Sequence, residues 1–314
     1  MCGIVGYIGD REAADFLMDG LAKLEYRGYD SAGIAVYNDG AIAVRKKAGR
    51  LVNLAEEVKA HPVVGTLGIG HTRWATHGGP SDVNAHPHTD EKGNFAIVHN
   101  GIIENYMELK EELLKKGYHF KSETDTEVVA HLCADMYDGD FTSTVRKVLA
   151  RLRGSYSLVF MCKFEPDKII CSKKDNPLIV GLGQGENYIA SDIPAILSYT
   201  RKTYIMNDGE IAIVMKDNVW VTDLEGKPIS KKVFEVNWDA EAAEKGGFEH
   251  FMLKEIYEQP KAIKDTMSCR ITKDGKHVHF EELNWTPEDV KSIGKILITA
   301  CGTAYHAGLL AKYF

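Results

Sequence analysis

Short apolar runs broken by Gly, Asp and Asn turns fill the first three quarters of the chain. Cys2–Ile8 reads as a strand. Gly33–Tyr37 and Ala41–Lys47 read as a hairpin closed by Asn38-Asp39-Gly40, because Asp-Gly between β-rich runs supplies the positive φ angles of a tight turn. Gly65–Thr72, Phe95–His99, Ser157–Cys162, Lys168–Ser172, Leu178–Gly181, Tyr204–Met206, Glu210–Met215 and Val219–Thr222 fit further strands. These runs seldom alternate one-for-one with helices, which favours antiparallel pairing over a βαβ repeat.

Three segments carry the helical period instead. Ala13–Leu24 sets Phe16, Leu17, Leu21 and Leu24 on one face. Tyr106–Lys116 has Asn105 as its expected N-cap, Glu108 three residues on, and Gly117 as its stop. Glu127–Met136 follows Thr124-Asp125-Thr126-Glu127, a capping-box pattern. Helices beside many antiparallel strands predict a layered α+β domain over residues 1–238.

Between Asn237 and Gly247 the chain turns small and polar, and residues 239–250 are expected to be a linker. Residues 251–314 then begin another domain. Leu253–Met267 reads as a helix broken or restarted near Pro260, and Lys295–Ala300 as a buried strand running through Cys301-Gly302-Thr303-Ala304 into a helix. One strand and part of a helix cannot bury a core, so this second domain is expected to be cut short.

Composition narrows the function. Of 314 residues, 44% are hydrophobic and 26% charged, as in ordinary globular proteins, and the net charge of −7 argues against nucleic acid and acidic membranes as partners. No apolar run is long enough to span a membrane, and no basic-then-apolar leader opens the chain. The six cysteines are scattered without a Cys-x-x-Cys pair, which fits reduced thiols and a cytoplasmic location.

The opening Met1-Cys2-Gly3 changes the picture most. Once Met1 is removed, Cys2 carries a thiol and a free α-amine, a nucleophile and a base on one residue. Four polar clusters accompany it, the first three containing glycine: Glu25–Gly33, His71–Gly78, His99-Asn100-Gly101 and Ser122–Glu127. Arg73 suits a carboxylate, which its planar fork binds bidentately, or a surface ion pair. Asp125 suits an ammonium, or a helix cap. Asn100 with Gly101 suits an oxyanion, or a plain turn. His86-Pro87-His88 lacks a carboxylate or thiol at ligand spacing, so no metal is expected.

Taken in order, Cys2-Gly3-Ile4, Arg27-Gly28-x-Asp30-Ser31-Ala32-Gly33, His71–Gly78, His99-Asn100-Gly101 and Thr124-Asp125 resemble the class II glutamine amidotransferases, which are N-terminal-nucleophile hydrolases. The resemblance spans most of residues 1–230. It implies a four-layer αββα sandwich in which Cys2 attacks glutamine, its α-amine serves as base, and Asn100 and Gly101 form the oxyanion hole. Arg27 and Gly28 line the nucleophile. Arg73, Thr76 and His77 meet the substrate carboxylate, Asp125 and the Gly101 carbonyl its ammonium, and Trp74 gates the exit of ammonia. No cofactor is implied.

Phe251–Pro260 and Ala300-Cys301-Gly302-Thr303-Ala304-Tyr305 resemble the branch of the family that aminates sugar phosphates. There the second domain has the α/β sugar-isomerase (SIS) fold, with Thr303 at a phosphate-binding helix start and Ser where this chain has Ala304. Fructose-6-phosphate is then the acceptor, glucosamine-6-phosphate the product, and the full-length protein a homodimer, with glutaminase activity alone expected of this chain. An amidophosphoribosyltransferase shares the N-terminal pattern, and a retained Met1 leaves a glutamine-binding module with an inert thiol.

Overall fold

Alternation along the strands sorts side chains onto two faces, and that sorting builds the layers. A computed structural model describes residues 2–237, 248–267, 270–271, 278, 283 and 285–313. The chain divides into two units, Met1–Gly246 and Gly247–Phe314. In the first unit β1 (Gly3–Ile8), β2 (Ser31–Asn38), β3 (Ala41–Ala48), β4 (Leu67–Arg73), β9 (Ile179–Leu182), β10 (Asn187–Ala190), β11 (Lys202–Ile205) and β14 (Phe234–Glu235) form one sheet. Its order is β14-β11-β9-β10-β1-β4-β2-β3. The second sheet contains β5 (His88–Thr89), β6 (Phe95–Ile103), β7 (Gly154–Cys162), β8 (Lys168–Lys174), β12 (Ile211–Met215) and β13 (Val219–Thr222), ordered β13-β12-β8-β7-β6-β5.

Ile4 and Ile8 of β1 face Ala96 and Val98 of β6 in the core between the sheets, whereas Val5 and Tyr7 face the helices α1 (Ala13–Leu24) and α2 (Leu51–Ala60). On the far side Phe95 and Ile97 pack under α3 (Tyr106–Lys115), α4 (Glu127–Met136) and α5 (Phe141–Leu149). The result is an αββα sandwich in which every strand pair is antiparallel. Fully burying an Ile or Leu in such a layer contributes about 1.5–3 kcal/mol.

Several local expectations are corrected. Asn105 does not cap α3 with its side chain; Nδ2 donates to the Arg151 carbonyl and Oδ1 accepts from Arg153 N. Glu127 makes no capping box with Thr124. Its carboxylate accepts from Lys121 N, Ser122 N and the Ser122 hydroxyl, tying down the loop ahead of α4. Helix α5 was not expected, although Asp140 caps it through Ser143 N and Phe141, Val145 and Val148 keep the helical spacing. Helix α2 was also missed, because it buries only Leu51 and Leu54. The short strands β5, β10 and β14 carry too few residues to show a period.

In the second unit α6 (Phe251–Met267) runs through Pro260 without a break. Residues 295–300 are not a buried strand. They form no regular element, pair with no described strand, and leave Ile296 and Leu297 about three quarters exposed. Helices α7 (Pro287–Ser292) and α8 (Gly302–Ala311) flank them. The expected linker lies, as far as residue 247, outside the described residues. Among the described residues no helix is long and apolar enough to cross a membrane.

Candidate active site

Register brings Cys2 to the site. Gly3 of β1 pairs with Thr72 of β4, so Cys2 falls where β4 ends and the chain leaves the sheet at Trp74. The Trp74 N–H donates to Cys2 Sγ at 3.2 Å. Gly28 permits this approach, since a Cβ there would stand 2.6 Å from the Arg73 carbonyl carbon. Asp30 clamps the same backbone from below: its N–H donates to the Arg73 carbonyl and its carboxylate accepts from Ala75 N. Asp30 lies inside the quoted motif, yet nothing in its spacing assigned it this role.

Arg27 is buried. Its Nε donates to the Cys2 carbonyl at 3.2 Å and its Nη1 pairs with Asp192 at 2.7 Å. Asn100, also buried, donates from Nδ2 to the same carbonyl at 3.0 Å. Gly101 has φ +132°, and a Cβ there would lie 2.0 Å from the Ser155 carbonyl oxygen, so only glycine fits.

A cavity of about 320 Å³ opens beside the thiol. Cys2, Arg27, Arg73, Trp74, Thr76 and His77 line one side, and Asn100, Gly101 and Asp125 the other. Arg73 does not stand free as a fork. Its guanidinium donates to the carbonyls of His77, Gly78 (2.9 Å) and Gly79 (3.4 Å), closing the loop after β4 on itself. His77 stands edge-on to Tyr106, and its buried Nδ1 has no partner among the described residues. Asp125 accepts from Ile103 N at 2.7 Å. Trp74 is half exposed and packs edge-on against Tyr29. Thr303 belongs to the second unit, where it is exposed in the first turn of α8.

Burial pushes the Cys2 thiol up, and the Trp74 N–H only partly offsets it. Such a thiol stays protonated at neutral pH unless an adjacent base takes its proton. Behind the cavity lies a packed histidine cluster. His71 stacks on His86 at 4.2 Å, His86 meets His88 edge-on, His88 reaches the Thr124 hydroxyl, and His99 the Thr126 hydroxyl. Burial depresses all four, His71 to about 3. These rings are therefore neutral and serve as fixed donors and acceptors.

The cluster sets an acid limit. An unfolded histidine titrates near 6.5, so below that pH the unfolded state binds protons that the folded state refuses. Stability is therefore full above about pH 6.5 and falls as the pH drops below it, with His71 alone contributing about 1.4 kcal/mol per pH unit down to about pH 3 and the other three acting in the same direction. Melting temperature should drop steeply from pH 6.5 to 4.5; a flat profile there would show that the rings protonate in the folded protein.

Four layers, antiparallel sheets and a cysteine at the head of a central strand beside a polar cavity define an N-terminal-nucleophile-type hydrolase fold. Residues 71–198 match the family model of a glutamine amidotransferase domain. Over its whole length the chain is 59% identical to glutamine–fructose-6-phosphate aminotransferase (isomerizing) of Caldanaerobacter subterraneus subsp. tengcongensis and 52% identical to that of Aquifex aeolicus. It covers 51% and 52% of them, so the chain spans about half the length of the curated relatives it matches. A solved glutamine phosphoribosylpyrophosphate amidotransferase from B. subtilis, complexed with ADP and GMP, is 27% identical with a TM-score of 0.62. That match covers 71% of this chain and 49% of the other. A structure described as the allosteric regulatory enzyme of purine biosynthesis is 28% identical with a TM-score of 0.63, again over 71% and 49%. In sequence and in fold, the chain is thus similar to glutamine amidotransferases, with the matching domain at residues 71–198.

Proposed function

We propose that this chain, once Met1 is removed, hydrolyses glutamine to glutamate and ammonia at Cys2. The observation that carries the reading is the Cys2 thiol, held by the Trp74 N–H at the mouth of a cavity that Asn100, Gly101 and Asp125 complete. The α-amine of Cys2 takes the thiol proton and sulfur adds to the amide carbon. The second N–H of Asn100 Nδ2, beyond the one given to the Cys2 carbonyl, meets the oxyanion together with Gly101. The ammonium then protonates the leaving nitrogen as the C–N bond breaks, and a water activated by the same amine releases glutamate from the thioester. Asp125 holds the substrate ammonium, and the loop closed by Arg73, with Thr76 and the unpartnered His77 nitrogen, receives the carboxylate. Arg27 and Gly28 position the nucleophile, and Trp74 gates the departing ammonia.

The acceptor reading rests on the curated relatives, which match both units of the chain, whereas the matches to the two solved structures cover 71% of it. On that basis residues 1–238 are the glutaminase domain, 239–250 a linker, and 251–314 the start of a sugar-isomerase domain with Thr303 at a phosphate site. The whole protein then aminates fructose-6-phosphate to glucosamine-6-phosphate in the cytoplasm, as a homodimer. The test is incubation of Met1-free protein with glutamine. Equal amounts of glutamate and ammonia, and a mass increase confined to Cys2 after treatment with diazo-oxo-norleucine, are expected. No ammonia from fully trimmed protein would refute the reading.

A further inference from the structure

Along β4 the side chains that face the second sheet are Leu67, Ile69 and then His71; along β6 they are Ala96, Val98 and then Asn100. His71 thus occupies an apolar position of the inter-sheet core, with no exposure at all. A polar ring there is costly unless bonded. Its Nε2 lies 3.0 Å from the His99 carbonyl oxygen and 3.0 Å from the Asn100 side chain. A carbonyl oxygen only accepts, so Nε2 carries the ring proton. The Asn100 atom facing that same N–H must then be its oxygen, which turns Nδ2 toward Cys2. Among the described residues the buried Nδ1 of His71 has no partner, as a bare lone pair in this tautomer leaves it. Stacking on His86 fixes the ring plane.

We infer that His71 is a positioning residue: its Nε2–H bridges the two sheets and locks the Asn100 amide with nitrogen, not oxygen, at the nucleophile. A flipped Asn100 would set N–H against N–H at His71 and present an oxygen to the developing oxyanion. The inference rests on the reading of Asn100 as the oxyanion donor.

Two variants separate positioning from general structure. His71→Phe keeps a ring but removes the donor; His71→Gln restores an N–H near the place of Nε2. Turnover should fall roughly 10–100-fold in His71→Phe, a part of the loss seen when an oxyanion donor is deleted. Glutamate affinity should stay within about twofold, because the amide meets the oxyanion only during reaction. His71→Gln should recover most of the turnover. Full turnover in folded His71→Phe, equal losses of turnover and glutamate affinity, or no advantage of Gln over Phe would each overturn the assignment. Nitrogen-15 spectra of the parent protein decide independently of how the variants fold. His71 should show a bare Nδ1 and a protonated Nε2, and a protonated Nδ1 would exclude the lock. A trimmed parent protein that releases no ammonia would refute the glutaminase reading instead, while the nitrogen spectra would still decide the lock.

Discussion

Cys2→Ala is expected to lower ammonia release from glutamine by roughly 10⁴-fold or more, the scale on which removing a covalent nucleophile disables an enzyme. Glutamate binding should change little, because the groups read as its anchors, Asp125, Thr76 and His77, lie elsewhere in the cavity. Two measurements are needed, turnover by coupled ammonia assay and glutamate affinity by calorimetry. The split between them carries the information. If alanine left turnover intact, the sulfur would have no part in the chemistry and the assignment of Cys2 as nucleophile would fall. If both quantities collapsed together, Cys2 would be holding the site's shape. Among the described residues the sulfur is hydrogen-bonded only to the Trp74 backbone, accepting from its N–H and donating to its carbonyl, so its loss disturbs little else.

Gly101→Ala should be among the most damaging single methyl additions in the first unit. The residue sits at φ +132° within the β6–β7 ladder, paired with Tyr156, and the added carbon would stand 2.0 Å from the Ser155 carbonyl oxygen. Backbone strain and overlap together are expected to cost about 3 kcal/mol or more. Relief requires β6 to move from β7, which shifts Asn100 next door, so turnover should be lost even in the protein that remains folded. Gly93→Ala is the control: it also has positive φ, +65°, but nothing lies within 4 Å of its Cβ position, so the cost is about 1 kcal/mol. Chemical denaturation of both variants checks the difference; equal midpoints would mean that the sheet absorbs the methyl without strain.

How far the site could be read in advance differs residue by residue. Cys2, Asn100, Gly101, Arg73 and Asp125 are named by residue type next to glycine and by motif order, because the chemistry of amide attack restricts which groups qualify. The uses of these groups within the fold were not legible. Arg73 looks like an open fork, yet its donors end on the carbonyls of its own loop. Asn105 and Glu127 look like caps, yet both serve as struts between loops, since a polar side chain takes the best partner that packing offers. Asp192, which holds Arg27, lies 165 residues away in sequence and leaves no local trace.

The strands and their faces were fixed by local means: alternation, turn chemistry and apolar runs act over a few residues and need no distant partner. The antiparallel character followed from the scarcity of intervening helices. Which strands adjoin was decided only by tertiary packing. Placing β1 between β10 and β4 puts the second residue of the chain against Trp74, and facing the two sheets puts His71 against Asn100. Those contacts join residues 72 and 29 positions apart in sequence, and their energy depends on layers closing around them, so no short stretch of sequence encodes them.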